Sequence, residues 1–224
     1  MSAPSQSRGA DSAPVLPRGR HRLSREAVER HQRARLLDAV VAVTGERGYS
    51  DFVVQHLIAA AGVSRSTFYE HFANRQQATL AACEAILADL MQAIEAACST
   101  QAEWTSQVRA GIAAALRFAA TEPDAARLLN FHAGTADGEA AGRVVAANER
   151  LAARLARGRD HYPRAAQLPA LMERALVGAI WATIATRLIE PEPEPLQELE
   201  DPLVQLTLIP YLGAAAAALP SAGR

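Results

Sequence analysis

Residues Gly48 to Arg75 read GYSDFVVQHLIAAAGVSRSTFYEHFANR, and this stretch decides the fold. Its apolar residues recur at helical spacing on both sides of Gly62, where a tight reversal needs a backbone conformation that only glycine adopts cheaply. The spacing predicts a helix from about Val53 to Ala61, a turn at Gly62, and a second helix capped by Ser64 and ending near Phe72. Leu57, Ala61, Val63 and Phe68 face inward in this register. Arg65, Ser66, Thr67, Tyr69 and His71 are left for the outer side of a helix only two turns long. A cation, two hydroxyls, a phenol and an imidazole suit base edges and phosphates, so the stretch predicts a helix-turn-helix whose second helix enters the DNA major groove.

Outward from this core, Ser24 is placed to cap a first helix with apolar residues Leu36, Leu37, Val40, Val41 and Val43, closed by Gly48. Asn74 is placed to cap a long fourth helix to about Ala97, with a stripe through Leu80, Cys83, Leu87, Leu90, Ile94 and Ala97. The remainder reads as helix throughout. Segments are predicted over Trp104 to Thr121, Pro123 to about Gly134, Glu139 to Ala156, Ala170 to Ile189 and Asp201 to Ala218, with a loop over Arg157 to Pro169. The PEPEP run, Pro191 to Pro195, cannot be helical. No strand pattern, internal repeat or phosphate-binding glycine loop interrupts this all-α reading.

The charge is uneven. Residues 1–75 hold 11 Arg against 7 acidic residues, and residues 76–224 hold 12 Arg against 17, although the whole chain carries only −1. A basic front joined to an acidic remainder points to a polyanion partner for the front. Three regions follow: a disordered basic tail over residues 1–22, a DNA-binding domain over 23–75, and a helical remainder over 76–219. The arginines from Arg18 to Arg35 are dense enough to form an arm that reaches phosphates or the minor groove. No apolar signal core or membrane-length apolar span is present, and Cys83 and Cys98 lie too far apart on one helix to pair. The expected location is cytoplasmic. No nucleophile–base pair, metal-ligand spacing or cofactor loop appears among six His and two Cys, so neither catalysis, metal nor cofactor is expected.

The tract AAAGVSRSTFYEHF, Ala59 to Phe72, resembles the strongest signature of the TetR family of bacterial transcriptional repressors, over about 28 residues closely and about 50 more loosely. That resemblance implies a two-fold dimer and a roughly palindromic operator, and it makes residues 76–219 a helical effector-binding and dimerisation domain. It places Arg65, Ser66, Thr67 and Tyr69 at bases and phosphates and His71 at the backbone. Arg75 takes the place of a lysine that meets phosphate at the start of helix 4. Three positions depart from the family pattern. Phe52 and Val53 replace hydroxyl residues, with Asp51 or Ser50 as substitute caps. Ile58 replaces a small residue, which is expected to spread the two helices slightly. Ala59 and Ala60 replace a charged pair.

Small residues at Ala175, Gly178, Ala179, Ala182 and Ala185, with Leu203, Leu206, Ile209, Gly213 and Ala217, suit a four-helix homodimer interface built from the last two helices. Trp104, Phe118, Arg127, Phe131, His132 and Trp181 are the candidates for a pocket that takes a small, mainly apolar effector. The expected function is therefore a DNA-binding regulator, a repressor released from its operator by that effector. The alternative is a constitutive or architectural DNA-binding protein without an effector.

Overall fold

Three local caps set the frame around the quoted stretch. Ser24 accepts from the Ala27 amide at 3.2 Å, Ser64 from Thr67 at 3.0 Å and Asn74 from Gln77 at 2.8 Å. Each satisfies an amide that the first helical turn leaves without a partner. The structure, a computed structural model, describes residues 24–48, 51–129, 138–190 and 194–214. The basic tail before Ser24, Ser50, Phe131, His132 and Ala217 lie outside the described residues.

The helices are α1 (Arg25–Arg47), α2 (Val54–Ala61), α3 (Arg65–His71), α4 (Arg75–Ser99), α5 (Trp104–Thr121), α6 (Pro123–Arg127), α7 (Gly138–Ala156), α8 (Gly158–His161), α9 (Met172–Ile189) and α10 (Glu200–Leu212). The described residues contain no strand. Short 3-10 turns over Pro163–Gln167 and Leu196–Leu199 precede α9 and α10.

Two hydrophobic cores form, and α4 runs through both. The first joins Leu36, Val40, Phe52, Leu57, Phe68 and Phe72 to Ala78, Ala82 and Ile86 of α4, and also takes in Ala125 and Leu128. The second begins at Leu90 and Ile94 of α4 and gathers α5, α9 and α10 around Leu116, Ile184, Val204 and Tyr211. At 1.5 Å per residue the 25-residue α4 is about 37 Å long, so it is the rigid strut between the two cores. Cys83 and Cys98 are both buried on it and unbridged. Burial pushes the Cys83 thiol up to about 11, which keeps it protonated and inert near neutral pH.

The structure differs from sequence expectation in four places. The predicted loop from Arg157 contains α8 and a 3-10 turn, because Arg159 folds it around a buried acid. Its guanidinium pairs with Glu173 of α9 at 2.8 Å and 2.9 Å and donates to the carbonyls of Ala165, Leu168 and Pro169. The Tyr211 hydroxyl donates to the same Glu173 carboxylate at 2.8 Å, tying in α10. Second, Asp51 does not cap α2. Val53 is its N-cap, and the His56 ring nitrogen accepts from the Val53 amide at 3.3 Å. Third, Leu203 points into the core at 2% exposure rather than outward. Fourth, α10 stops at Leu212, where Gly213 takes φ +84° and donates to the Ile209 carbonyl.

Candidate nucleic-acid interface and effector cavity

The turn between α2 and α3 is held from α1. Gly62 is left-handed at φ 59°, and a Cβ there would lie 2.6 Å from the Arg35 guanidinium. Arg35 donates to the Gly62 carbonyl at 3.3 Å. Behind the turn, Leu57, Ala61 and Phe68 are buried and Val63 and Ile58 pack half-buried against them. Ile58 is accommodated in this core, and its carbonyl still accepts the Val63 amide at 3.2 Å.

The outward face of α3 is more divided than the sequence suggests. Arg65, Ser66 and Tyr69 are exposed, Tyr69 by 47%, and the Arg65 guanidinium lies 5.7 Å from the Tyr69 ring. Thr67 is half-buried, and its hydroxyl is shared with Ser64 at 2.9 Å in a cluster that also holds Ser66 at 2.7 Å. Thr67 is thus oriented by the cap and presents less of itself to a groove. His71 is half-buried beside Phe72, and its Nε2 is buried without a partner among the described residues. Glu70 is exposed on the same short helix; an acid there attracted no weight in the sequence, yet a carboxylate accepts from cytosine.

Arg75 turns toward the protein. Its guanidinium donates to the Phe52 carbonyl and lies 5.2 Å from the Phe52 ring. Phe52, which stands where a hydroxyl was expected, is itself fully buried. Arg33 of α1 lies over the Phe72 ring at 4.9 Å, and Arg25 pairs with Glu29.

In the C-terminal half, two cavities lie side by side. One, with about 590 Å³ of open space, is bounded by α4, α5, α7 and α9 through Ile94, Trp104, Ile112, Leu155, Val177 and Trp181. The other, about 700 Å³, reaches toward the DNA-binding half through Leu87, Met91, Phe118, Leu129 and Asn148. Ala115, Leu151 and Trp181 line both. Of the sequence candidates, Trp104 and Trp181 line the first cavity, and Phe118 and Trp181 the second. Arg127 serves another purpose: it pairs with Asp124 at 2.7 Å and donates to the Leu188 carbonyl at the end of α9. Asp124 in turn packs so close to Gly45 of α1 that a Cβ there would lie 2.6 Å from its carboxyl carbon.

A helix-turn-helix framed by α1 and α4, joined through α4 to a helical body with two cavities, is the architecture of a DNA-binding regulator. Residues 36–81 match the model of the bacterial regulatory proteins of the tetR family. The matched residues run from α1 into the start of α4, so the helix-turn-helix part of the chain is similar to the DNA-binding part of that family. Solved structures share the fold across both halves. The fatty acid degradation regulator FadR of Bacillus halodurans aligns with a TM-score of 0.71 at 17% identity, covering 79% of this chain and 94% of that one. A TetR-like regulator of Rhodococcus sp. RHA1 aligns at 0.65 and 22% identity, covering 84% and 97%. FadR of Bacillus subtilis, in complex with stearoyl-CoA, aligns at 0.69 and 16% identity, covering 80% and 98%. A comparison with curated proteins finds no match.

Proposed function

We propose that the protein is a transcriptional repressor that binds a palindromic operator as a homodimer and is released by a small, mainly apolar effector. The observation that carries this reading is the pairing of an exposed α3 face with apolar cavities that share α4 with the DNA-binding core. In this reading Arg65, Ser66 and Tyr69 meet bases and phosphates directly, while Thr67, His71 and Arg75 set the shape of the unit that presents them. The cavities also favour an effector over constitutive binding, which needs no internal space. The stearoyl-CoA complex of the Bacillus subtilis FadR supports an apolar chain as a ligand this fold can hold.

The dimer is assigned to α9 and α10. Ala175, Gly178 and Ala182 are exposed on α9, and Leu206 and Ile209 are exposed by 42% and 43% on α10. Apolar side chains exposed together on two adjacent helices suit burial against a second copy. A dimer also positions two recognition helices about 34–36 Å apart, one turn of DNA. Ligand filling the cavities would shift α4 and change that separation.

The test is operator anisotropy during effector titration. Occupancy of the cavity is followed in parallel by the fluorescence of Trp104 and Trp181, the only two tryptophans of the chain. Release of DNA as the cavity fills is the expected result. A filled cavity with undiminished DNA binding would leave the constitutive reading in its place.

A further inference from the structure

The first cavity has an uneven chemistry. Its walls are apolar except for a few groups, and among the described residues Arg154 of α7 is the only charged side chain that lines it. Trp104 lines the same cavity, is 94% buried, and has an indole N–H with no hydrogen-bond partner among the described residues. The third polar residue, Gln107, turns its amide N–H₂ to the Gln101 carbonyl at 3.0 Å. A buried donor with no acceptor is costly to leave unmade, so it marks a place where an acceptor is wanted.

Arg154 does have a partner, but an asymmetric one. The Arg154 side chain is 22% exposed, whereas Glu95 of α4, with which it pairs, is 64% exposed. Glu95 is therefore well solvated and gives up little when it lets go. Arg154 is the reverse: burial and the nearby Arg157 both disfavour its charge, so an additional anion inside the cavity has a strong claim on it. The neighbouring pair, Arg143 of α7 with Glu84 of α4, repeats the connection eleven residues earlier on each helix. The two pairs together fasten α7 to α4.

We infer that the effector is an amphiphilic anion, an apolar chain bearing one carboxylate, whose head takes Arg154 from Glu95. This rests on the reading of the cavity as the effector site and adds the head group and the contact it breaks. The chain lies along Ile94, Ile112, Leu155 and Val177, and the head accepts from the Arg154 guanidinium at the mouth, with the Trp104 N–H as a second donor. Loss of the Arg154–Glu95 pair leaves α7 held to α4 through Arg143 and Glu84. Head-group capture is thereby coupled to the helix that starts at Arg75 beside Phe52.

The probe is dodecanoate against dodecan-1-ol, below aggregation, each titrated into full-length protein at pH 7.5 with tryptophan fluorescence as the readout. Three proteins are compared: wild type, Arg154→Gln and Glu95→Gln. The expected result is dodecanoate binding at least about 10-fold tighter than the alcohol in wild type. In Arg154→Gln the two bind within about 2-fold and the alcohol affinity is unchanged, which also reports an intact cavity. In Glu95→Gln, dodecanoate binds tighter than in wild type. Equal affinities in wild type, or a preference that survives in Arg154→Gln, overturn the anionic head while leaving the apolar cavity standing. If neither probe binds, the cavity reading and this inference fall together.

Discussion

Arg75, the first residue of α4, donates its guanidinium to the carbonyl oxygen of Phe52 and stacks 5.2 Å from the same residue's ring. One side chain thereby fastens the segment that leads into α2 to the helix that follows α3. The helix-turn-helix is closed into a loop by a contact that neither α2 nor α3 makes itself. A charge that a sequence reading assigns to phosphate is engaged inside the domain.

The prediction for Arg75→Ala follows from that geometry. Losing one hydrogen bond to a charged donor and one cation–π contact is expected to cost about 2–3 kcal/mol of domain stability. DNA affinity falls on all sequences, but the slope of log K against log salt stays the same. A slope reduced by about 0.9 would instead assign Arg75 a phosphate. Anisotropy across 50 to 200 mM salt measures the difference.

Thr67 and Tyr69 are expected to behave differently. Tyr69→Phe removes an exposed hydroxyl and should cost about 1–3 kcal/mol on the preferred site, with a smaller loss on random DNA if the phenol reads a base. Thr67→Ala should lose less specificity than affinity, because its hydroxyl is committed to Ser64 at 2.9 Å. Equal losses on specific and random DNA for Tyr69→Phe would remove it from base reading.

These two residues also show what the sequence made legible. The caps at Ser24, Ser64 and Asn74 and the reversal at Gly62 depend on neighbours within a few residues, so local chemistry sufficed to find them. The inward set of Leu57, Ala61 and Phe68 followed from helical spacing. What could not be read depended on partners far along the chain. Arg159 orders its segment through Glu173, fourteen residues on. Arg127 is drawn to Leu188, and the burial of Leu203 depends on which face of α10 meets the core. The residue set of the cavity was legible only in part, because Trp104 and Trp181 meet there from helices 77 positions apart, and Arg154 carried no aromatic signal.

The dimer assignment is tested at Gly178. A Cβ there has no heavy atom within 4 Å, so the monomer has room for a side chain, and replacing a helical glycine adds up to about 1 kcal/mol of helix propensity. Gly178→Arg should therefore fold normally by circular dichroism yet sediment as a monomer and lose tight operator binding. A dimer that persists in Gly178→Arg would move the interface elsewhere.

The Glu173 network predicts a pH profile. Burial pushes Glu173 up, but the hydrogen bonds from Arg159 and Tyr211 outweigh it and hold the carboxyl below its ordinary 4.5. Its contribution is present above 4.5 and is lost as pH falls through the lower folded value. Tyr211 is pushed up from its ordinary 10, first by burial and then by donation to Glu173, so its contribution is present below 10 and declines as pH rises past it. Tm should be flat between these limits. Tyr211→Phe should lower the plateau by about 3–10 °C, from about 1.5–3 kcal/mol for a hydrogen bond to a charged acceptor. An unchanged Tm would show that the hydroxyl contributes nothing to the lock.

The central claim, that α3 reads DNA sequence as part of a two-fold dimer, is tested most directly by selecting duplexes from a random pool with purified full-length protein at 150 mM salt. The account predicts enrichment of a palindrome whose half-sites lie about one helical turn, 10–10.5 base pairs, apart, and loss of that enrichment in Arg65→Ala and Tyr69→Ala. Retention of duplexes with no shared sequence, or an enriched palindrome that both variants select as well as wild type, would contradict it.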